Sequence, residues 1–181
     1  MKYPPLCGGI FILPSLVIIA LIILGLVIIG FGWGRIDRIE ITAFSEQDKM
    51  ELCAGLDIAA DDSIDLIFLK HLSGFRIDEM CLKIRANDKT QLRRILANYS
   101  QDHGENYSII ESDLDAGFEL TESYADPNNN NMRAWVFTNQ QDTIVYFYSR
   151  TTNDLIRRYI KEQIRKGNYA EWQYDESAYS K

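Results

Sequence analysis

The chain has 181 residues, 46% of them hydrophobic, and a formal net charge of −7 that is spread unevenly along the sequence. Only Lys2 is charged before Arg35, so residues 35–181 hold 18 basic and all 26 acidic side chains, a net of −8. An acidic domain of this kind repels the phosphate backbone, which argues against nucleic-acid binding through bulk charge. This part of the chain is also long enough to bury a core of its own.

An uncharged, apolar segment extends from Tyr3 to Gly34. About 20 apolar residues in a helix span the ~30 Å hydrocarbon core of a bilayer, and this segment exceeds that length. A cleaved signal peptide has a shorter apolar region and a small-x-small site, whereas this run ends beside the bulky Trp33. We therefore predict that residues 1–34 are a retained single-span anchor, with Tyr3, Trp33 and Arg35 at the membrane interfaces. Cleavage within the flanking glycines is the alternative.

The charges beside this segment give conflicting signals for orientation. Arg35 and Arg38 follow it and only Lys2 precedes it, and a count of positive charges places the domain in the cytoplasm. A very short N-terminal tail with a lysine before a signal-like run is instead typical of proteins that export the rest of the chain. We predict export, with the cytoplasmic orientation as the alternative.

A strand and a helix are the first elements predicted after the apolar segment. Arg35–Ala43 alternates isoleucines imperfectly with charged residues, which indicates a strand. Ser45 and Asp48 have the spacing of a helix start, in which Ser45 caps a free N–H and Asp48 favours the positive helix end.

The next two segments predict a β-hairpin. Ser63–His71 and Arg76–Arg85 read as strands, and Ser73-Gly74 between them supplies the turn. Apolar and polar residues alternate in the second strand, so we expect one buried face and one exposed face. The buried side chains are Met80, Leu82 and Ile84, and the opposite ones are Glu79, Cys81, Lys83 and Arg85.

A helix and a second hairpin follow. Asp88 and Gln91 mark a helix start, and its apolar stripe comprises Leu92, Ile95, Leu96 and Tyr99. Residues 101–131 are acidic and predicted to be loop-rich, with a short strand at 107–112 and a loop at 126–131. Two aromatic and β-branched runs within residues 132–149 flank "NQQD", which predicts a hairpin.

The last helix is predicted from Thr151 and Asp154, which have capping spacing, to Gly167. Residues 168–181 form a short, acidic, aromatic tail that we expect to dock in part, and a free recognition peptide is the alternative. Together these elements predict an α+β domain over residues 35–167, with helices packed on one face of an antiparallel sheet.

No catalytic motif is present in the sequence. There is no Gly-x-Ser-x-Gly elbow, phosphate-binding loop, dinucleotide fingerprint or metal-ligand spacing, so we expect no cofactor, metal or identified small-molecule substrate. The two histidines are His71 and His103. His71 can meet Asp78 across its hairpin, which we interpret as a solvated pair near the turn. The enzyme alternative is a membrane-tethered hydrolase built around His71 or His103.

The last helix concentrates basic side chains: Arg157, Arg158, Lys161, Arg165 and Lys166. A solvated helix face explains them, and so does a docking surface for an acidic partner or for anionic lipid head groups.

Cys53 and Cys81 form a candidate disulfide if the domain is exported. The alternation of the second strand places Cys81 opposite Met80, however, which makes that bridge hard to form if the helices pack on the Met80 face. The other interpretation is two ordinary thiols. Cys7 precedes the continuous apolar run Ile10–Ile29, whereas a lipoprotein signal needs a cysteine after it, so Cys7 cannot be a lipid-attachment site.

Leu52–Leu96 runs from a short helix through a strand, a Ser73-Gly74 turn and a strand led by Asp78 to a helix at Asp88. This segment resembles one found in bacterial membrane-anchored and lipoprotein domains of uncharacterised function. It covers about a quarter of the chain, and "AADD" stands where such segments often carry a proline. The resemblance implies a bacterial source and a hairpin–helix layout, but no activity.

These observations predict a non-enzymatic binding module, anchored in the bacterial inner membrane with its domain in the periplasm. Such a module holds or neutralises a protein partner, as an immunity-type protein does. The alternatives are the hydrolase and a structural subunit of a membrane complex.

Overall fold

The computed structural model describes residues 17–24, 37–59, 64–74, 77–102 and 117–172. The chain divides into two compact units, Met1–Ile36 and Asp37–Lys181. In the first unit, residues 17–24 form helix α1. Within the ranges just given, no helix combines the length and apolarity that a membrane crossing requires. Most of the predicted anchor lies outside them, including Tyr3, Trp33 and Arg35, so the anchor stays a prediction.

Strands and helices are interspersed along the second unit. Their order is β1 (Asp37–Ile41), α2 (Glu46–Gly55), β2 (Asp65–Ser73), β3 (Asp78–Ala86), α3 (Lys89–Ile95), β4 (Ser100–Asp102), β5 (Glu119–Asp126), β6 (Asn129–Thr138), β7 (Thr143–Ser149), α4 (Asp154–Lys166) and β8 (Ala170–Glu171). The strands form one eight-stranded sheet in the order β4-β5-β6-β7-β3-β2-β1-β8. Every pair of neighbouring strands is antiparallel. The α+β prediction is therefore confirmed for this unit.

Local capping signals explain where α2 and α3 begin. The Ser45 backbone N–H donates to Asp48 Oδ2 at 2.7 Å, and the Asp48 N–H donates to Ser45 Oγ at 3.2 Å, which completes a capping box. At the start of α3, Asp88 Oδ1 accepts from the Gln91 N–H at 2.7 Å. Both predicted helix starts are confirmed.

The core on the helix side of the sheet contains side chains from α2, α3 and α4. Leu52, Ile95 and Ile156 represent the three helices, and they pack with sheet residues such as Leu82 and Phe147. The central hairpin pairs β2 with β3 and places Met80, Leu82 and Ile84 in this cluster, as its alternation predicts.

The opposite face of the sheet is buried as well, which corrects the expectation of one exposed face. Its cluster comprises Phe68, Cys81, Trp135, Phe137, Ile144, Tyr146 and Tyr148. Lys83 lies on this face and is 6% exposed, with its Nζ 5.6 Å from the Phe68 ring centroid and 5.3 Å from that of Tyr146. An ammonium group over aromatic rings, carried on an apolar stem, tolerates such burial. The polar residues that alternate along β3 therefore do not mark an exposed face of the sheet, contrary to the prediction.

Two strands lie in the region predicted to be loop-rich. β4 is an edge strand of the sheet, and β5 lies next to it. β5 joins β6 by a tight turn at Pro127 and Asn128 rather than by the loop predicted at 126–131. The Asn128 N–H donates to Asp126 Oδ1 at 2.8 Å across this turn. β5 lacks an apolar alternation, and it is held by pairing with β6. The strand predicted at 107–112 lies outside the described residues.

The start of the C-terminal tail joins the sheet. β8 pairs with β1 through Ile39 and Glu171, and the Trp172 ring centroid lies 5.0 Å from Lys70 Nζ. Tyr169 remains 40% exposed. For the described residues, partial docking of the tail is confirmed.

Candidate functional site

Helix α4 carries the basic residues singled out from the sequence. Its N-cap is Asn153, whose Oδ1 accepts from the Ile156 N–H at 2.9 Å, so the predicted Thr151 cap lies two residues too early. Gly167 ends the helix as predicted, with a left-handed φ of 73° that glycine adopts without steric cost.

Opposite faces of α4 have opposite character. Four side chains are buried against the core, namely Ile156, Tyr159, Ile160 and Gln163. Arg158, Lys161 and Arg165 follow one another at i, i+3 and i+7, so they share the face turned away from the core, and all three are exposed. We call these three residues the basic ridge.

Acidic side chains of α4 neutralise only part of this charge. Glu162 Oε1 lies 2.7 Å from Arg165 Nη2 and 3.5 Å from Lys166 Nζ. A hydrogen bond from Arg165 is the main reason why the pKa of Glu162 falls below its ordinary value. Within the described part of the chain, neither Arg158 nor Lys161 has a carboxylate at ion-pair distance; Arg158 Nε donates to the Asp154 carbonyl at 3.4 Å.

Arg157 does not belong to the basic ridge. Its Nη2 donates to Asp78 Oδ2 at 2.6 Å and to the Thr152 carbonyl oxygen at 2.9 Å, and its Nη1 donates to Asp154 Oδ1 at 3.0 Å. The guanidinium therefore joins the start of α4 to the start of β3. Three of its five N–H groups bond within the domain, which reduces the charge that Arg157 offers to the predicted docking surface.

His71 completes a cluster with Asp78 and Arg157. His71 Nε2 lies 2.9 Å from Asp78 Oδ1, and the imidazole side chain is 8% exposed. Burial opposes ionisation of Asp78, but hydrogen bonds from His71 and Arg157 outweigh it and hold the pKa of Asp78 below its ordinary value. The predicted His71–Asp78 contact exists, but it is a partly buried pair that Arg157 joins to helix α4 rather than a solvated pair.

This cluster has the acid and the base of a hydrolytic triad, but no described residue beside it is an activated nucleophile. Ser149 Oγ, the buried hydroxyl of the neighbouring strand β7, donates to the Thr151 carbonyl oxygen at 2.9 Å. Both oxygens of Asp78 are occupied, one by His71 and the other by Arg157. The arrangement can fix α4 on the sheet, and it offers no evident path for proton transfer to a substrate. His103 lies outside the described residues.

The two cysteines of the domain are not joined in a disulfide. Cys53 belongs to the helix-side cluster and Cys81 to the cluster on the opposite face, so the sheet separates them. The candidate bridge is therefore corrected, for the reason that the alternation of β3 already gave. Burial is the main cause that raises the pKa of the Cys53 thiol to about 11, which keeps it protonated and unreactive at neutral pH.

Among the residues that the structure describes, no three His, Cys, Asp or Glu side chains are grouped so that they could hold a metal ion. Sequence reasoning found the basic residues of α4 from their spacing alone. It missed the Asp78–Arg157 ion pair, because the two residues are 79 positions apart and no local pattern joins them. No protein-family model, curated protein or solved structure matches the chain.

Proposed function

We propose that this chain is a non-enzymatic binding module whose basic ridge docks an acidic protein partner. The apolar N-terminal segment holds it at the bacterial inner membrane, with the domain in the periplasm. Holding or neutralising the partner there, as an immunity-type protein does, is the role that this layout favours. The observation that carries the proposal is the placement of Arg158, Lys161 and Arg165 on the outward face of α4.

The charge of the ridge is unusual for this domain. Residues 35–181 have a net charge of −8, yet α4 alone carries five basic and two acidic residues. A local positive surface on a negative domain orients an incoming acidic partner, and it acts more on the association rate and on specificity than on the bulk of the affinity. The acidic remainder of the domain disfavours docking in any other orientation.

Reversal of charge on the ridge tests this proposal. The full chain in detergent, with Arg158→Glu and Lys161→Glu together, is used to capture partners from a membrane extract beside the unmodified chain. We expect capture of an acidic protein by the unmodified chain and about tenfold weaker binding of that protein by the variant, since opposite charges now face like charges. The control reverses two exposed charges elsewhere, Arg94→Glu and Arg150→Glu, and should retain the partner.

Two outcomes would contradict the proposal. One is equal capture by the ridge variant and the unmodified chain. The other is ridge-dependent binding to vesicles that contain anionic lipid with no acidic protein captured, which would assign the ridge to the membrane surface, where each basic residue contributes about 1 kcal/mol.

A hydrolase is the second candidate, and the His71–Asp78 distance of 2.9 Å is the observation that favours it. A base that works on a substrate must be reached by that substrate, whereas the His71 side chain is 8% exposed and its carboxylate partner is also bonded to Arg157. Hydrolysis of an ester substrate that is lost in a folded His71→Gln variant would favour this candidate over the binding module.

A further inference from the structure

A cleft of about 400 Å³ opens beside helix α3, and none of its lining residues belongs to α4. Its helical wall comprises Lys89, Leu92, Arg93 and Leu96, and its opposite wall is made by strands β5, β6 and β7. This volume lies within the range of about 300–1,000 Å³ that is typical of sites for small molecules.

Strand register shows how the cleft is arranged along the sheet. Thr138 pairs with Thr143 at the end of the β6–β7 hairpin, and Tyr124 pairs with Ala134 two positions beyond Val136. Hydroxyl groups therefore line one end of the cleft and an aromatic ring lines the other. Val136 lies between them and supplies an apolar floor.

Two cationic side chains mark the helical wall of the cleft. Lys89 and Arg93 are four positions apart, so they lie on the same side of α3, and both are exposed. No acidic side chain in the described ranges pairs with either of them. Two neighbouring cations above an apolar floor attract a ligand that carries a negative charge.

The one carboxylate in the cleft wall, that of Glu122, does not pair with Lys89 or Arg93. Glu122 accepts a hydrogen bond from the Tyr124 hydroxyl within the same strand. Burial, followed by the hydrogen bond and charge of Glu122, raises the pKa of Tyr124 to about 12, so the phenol keeps its proton and the bond at neutral pH. The Glu122 carboxylate therefore repels a second negative charge on a ligand.

We propose that this cleft binds a compact organic monocarboxylate. The carboxylate pairs with Lys89 and Arg93, and the apolar body packs on Leu92, Leu96 and Val136. Polyanions are disfavoured by Glu122 and by the net charge of −8 of residues 35–181. The site shares no residue with the basic ridge, so its test is independent of the test of the proposed docking function.

Titration with hydrocinnamate, followed by amide shifts of the isotope-labelled full chain in detergent, tests this site. We expect saturable shifts at Leu92, Arg93, Val136 and Thr138 with a millimolar dissociation constant, as is common for so small a ligand. Hydrocinnamamide, which has the same body without the charge, should bind about tenfold more weakly, because a hydrogen bond to a charged group is lost.

Two variants and one control separate the charge of the cleft from its shape. Arg93→Ala should weaken hydrocinnamate binding about tenfold, whereas Arg94→Ala, one position along the same helix and outside the cleft, should leave it unchanged. Thr138→Phe fills the hairpin end with a residue that suits a strand, and should abolish the shifts. The site is refuted by equal binding of the amide, by unchanged affinity in Arg93→Ala, or by no saturable shift in the folded unmodified chain.

Discussion

Asp78 is the side chain through which the β2–β3 hairpin and helix α4 are joined by charge. It accepts from His71 on one oxygen and from Arg157 on the other, and its side chain is 30% exposed. Partly buried charges that are paired in this way cost most when a single partner is removed, because the remaining charge is left desolvated. Thr152 supports the same guanidinium through its carbonyl oxygen.

Asp78→Asn should lower the free energy of unfolding by about 2 kcal/mol at neutral pH, since Arg157 and His71 lose their anionic acceptor. Urea unfolding followed by far-UV circular dichroism, in the detergent used for the unmodified chain, measures this change. The matched control is Asp154→Asn, which touches the same Arg157 but is 87% exposed, and it should cost less than about 1 kcal/mol. An equal loss of unfolding free energy in both variants would show that the Asp78 cluster does not stabilise the contact between the hairpin and α4.

The depressed pKa of Asp78 gives this contribution a defined pH dependence. Because the folded pKa lies below the unfolded value of about 3.9, the stabilisation is fully present at higher pH and is lost as pH falls through the folded pKa. The difference in unfolding free energy between the unmodified chain and Asp78→Asn should therefore shrink as urea titrations are carried below about pH 4. A difference that grows as pH falls below about 4 would contradict the ionised, paired state of Asp78.

Helices α2 and α4 approach each other closely at Gly55. A Cβ placed on Gly55 would lie 2.6 Å from Ile156 Cγ1 and 3.2 Å from its Cδ1, and Asn153 Nδ2 donates to the Gly55 carbonyl oxygen at the same contact. Alanine in a helix is ordinarily more favourable than glycine by about 1 kcal/mol. At Gly55 the close approach of Ile156 outweighs this helix preference, because a core at native packing density does not accommodate an added methyl group.

Gly55→Ala should therefore destabilise the domain by about 1–3 kcal/mol. The cost should become much smaller in an Ile156→Ala background, where the clashing atoms are absent, and a double-mutant cycle in urea measures this coupling. A stabilising Gly55→Ala in the unmodified background would mean that the two helices are not packed as described.

At the level of elements, sequence information was sufficient where the determining contacts are local. Ser45, Asp88 and Gly167 mark helix ends through hydrogen bonds or backbone conformation within a few residues, and all three were predicted. β5 was missed because its residues ELTESYAD show no apolar alternation, and pairing with β4 and β6 places it in the sheet. The burial of Lys83 was missed for a similar reason, since the aromatic rings around it, Phe68 and Tyr146, come from other strands.

For the whole molecule, the predictable part of the candidate site was its charge. The basic residues of α4 are visible in the sequence as a helical repeat. Arg157, however, is bonded to Asp78 and so does not belong to the basic ridge, and the fold brings Asp78 to it from 79 positions away. The cleft beside α3 has the same origin, because its walls come from a helix and from strands that become neighbours only in the sheet. Sequence periodicity predicts on which face of a helix or strand a side chain lies, whereas its contact residues depend on pairing between elements that are distant in the sequence.

Removal of residues 1–36 separates the binding module from a structural membrane subunit. The unit Asp37–Lys181 contains both hydrophobic clusters and the sheet, so we expect it to fold without the apolar segment and to unfold cooperatively in urea. A binding module should keep its acidic partner in solution after this truncation, with loss of binding in Arg158→Glu/Lys161→Glu as in the full chain. The measurement is capture of the same partner by the truncated unit, beside the full chain in detergent. A truncated unit that unfolds cooperatively but captures no partner would assign the recognition to the apolar segment, and would favour a structural subunit over the proposed module.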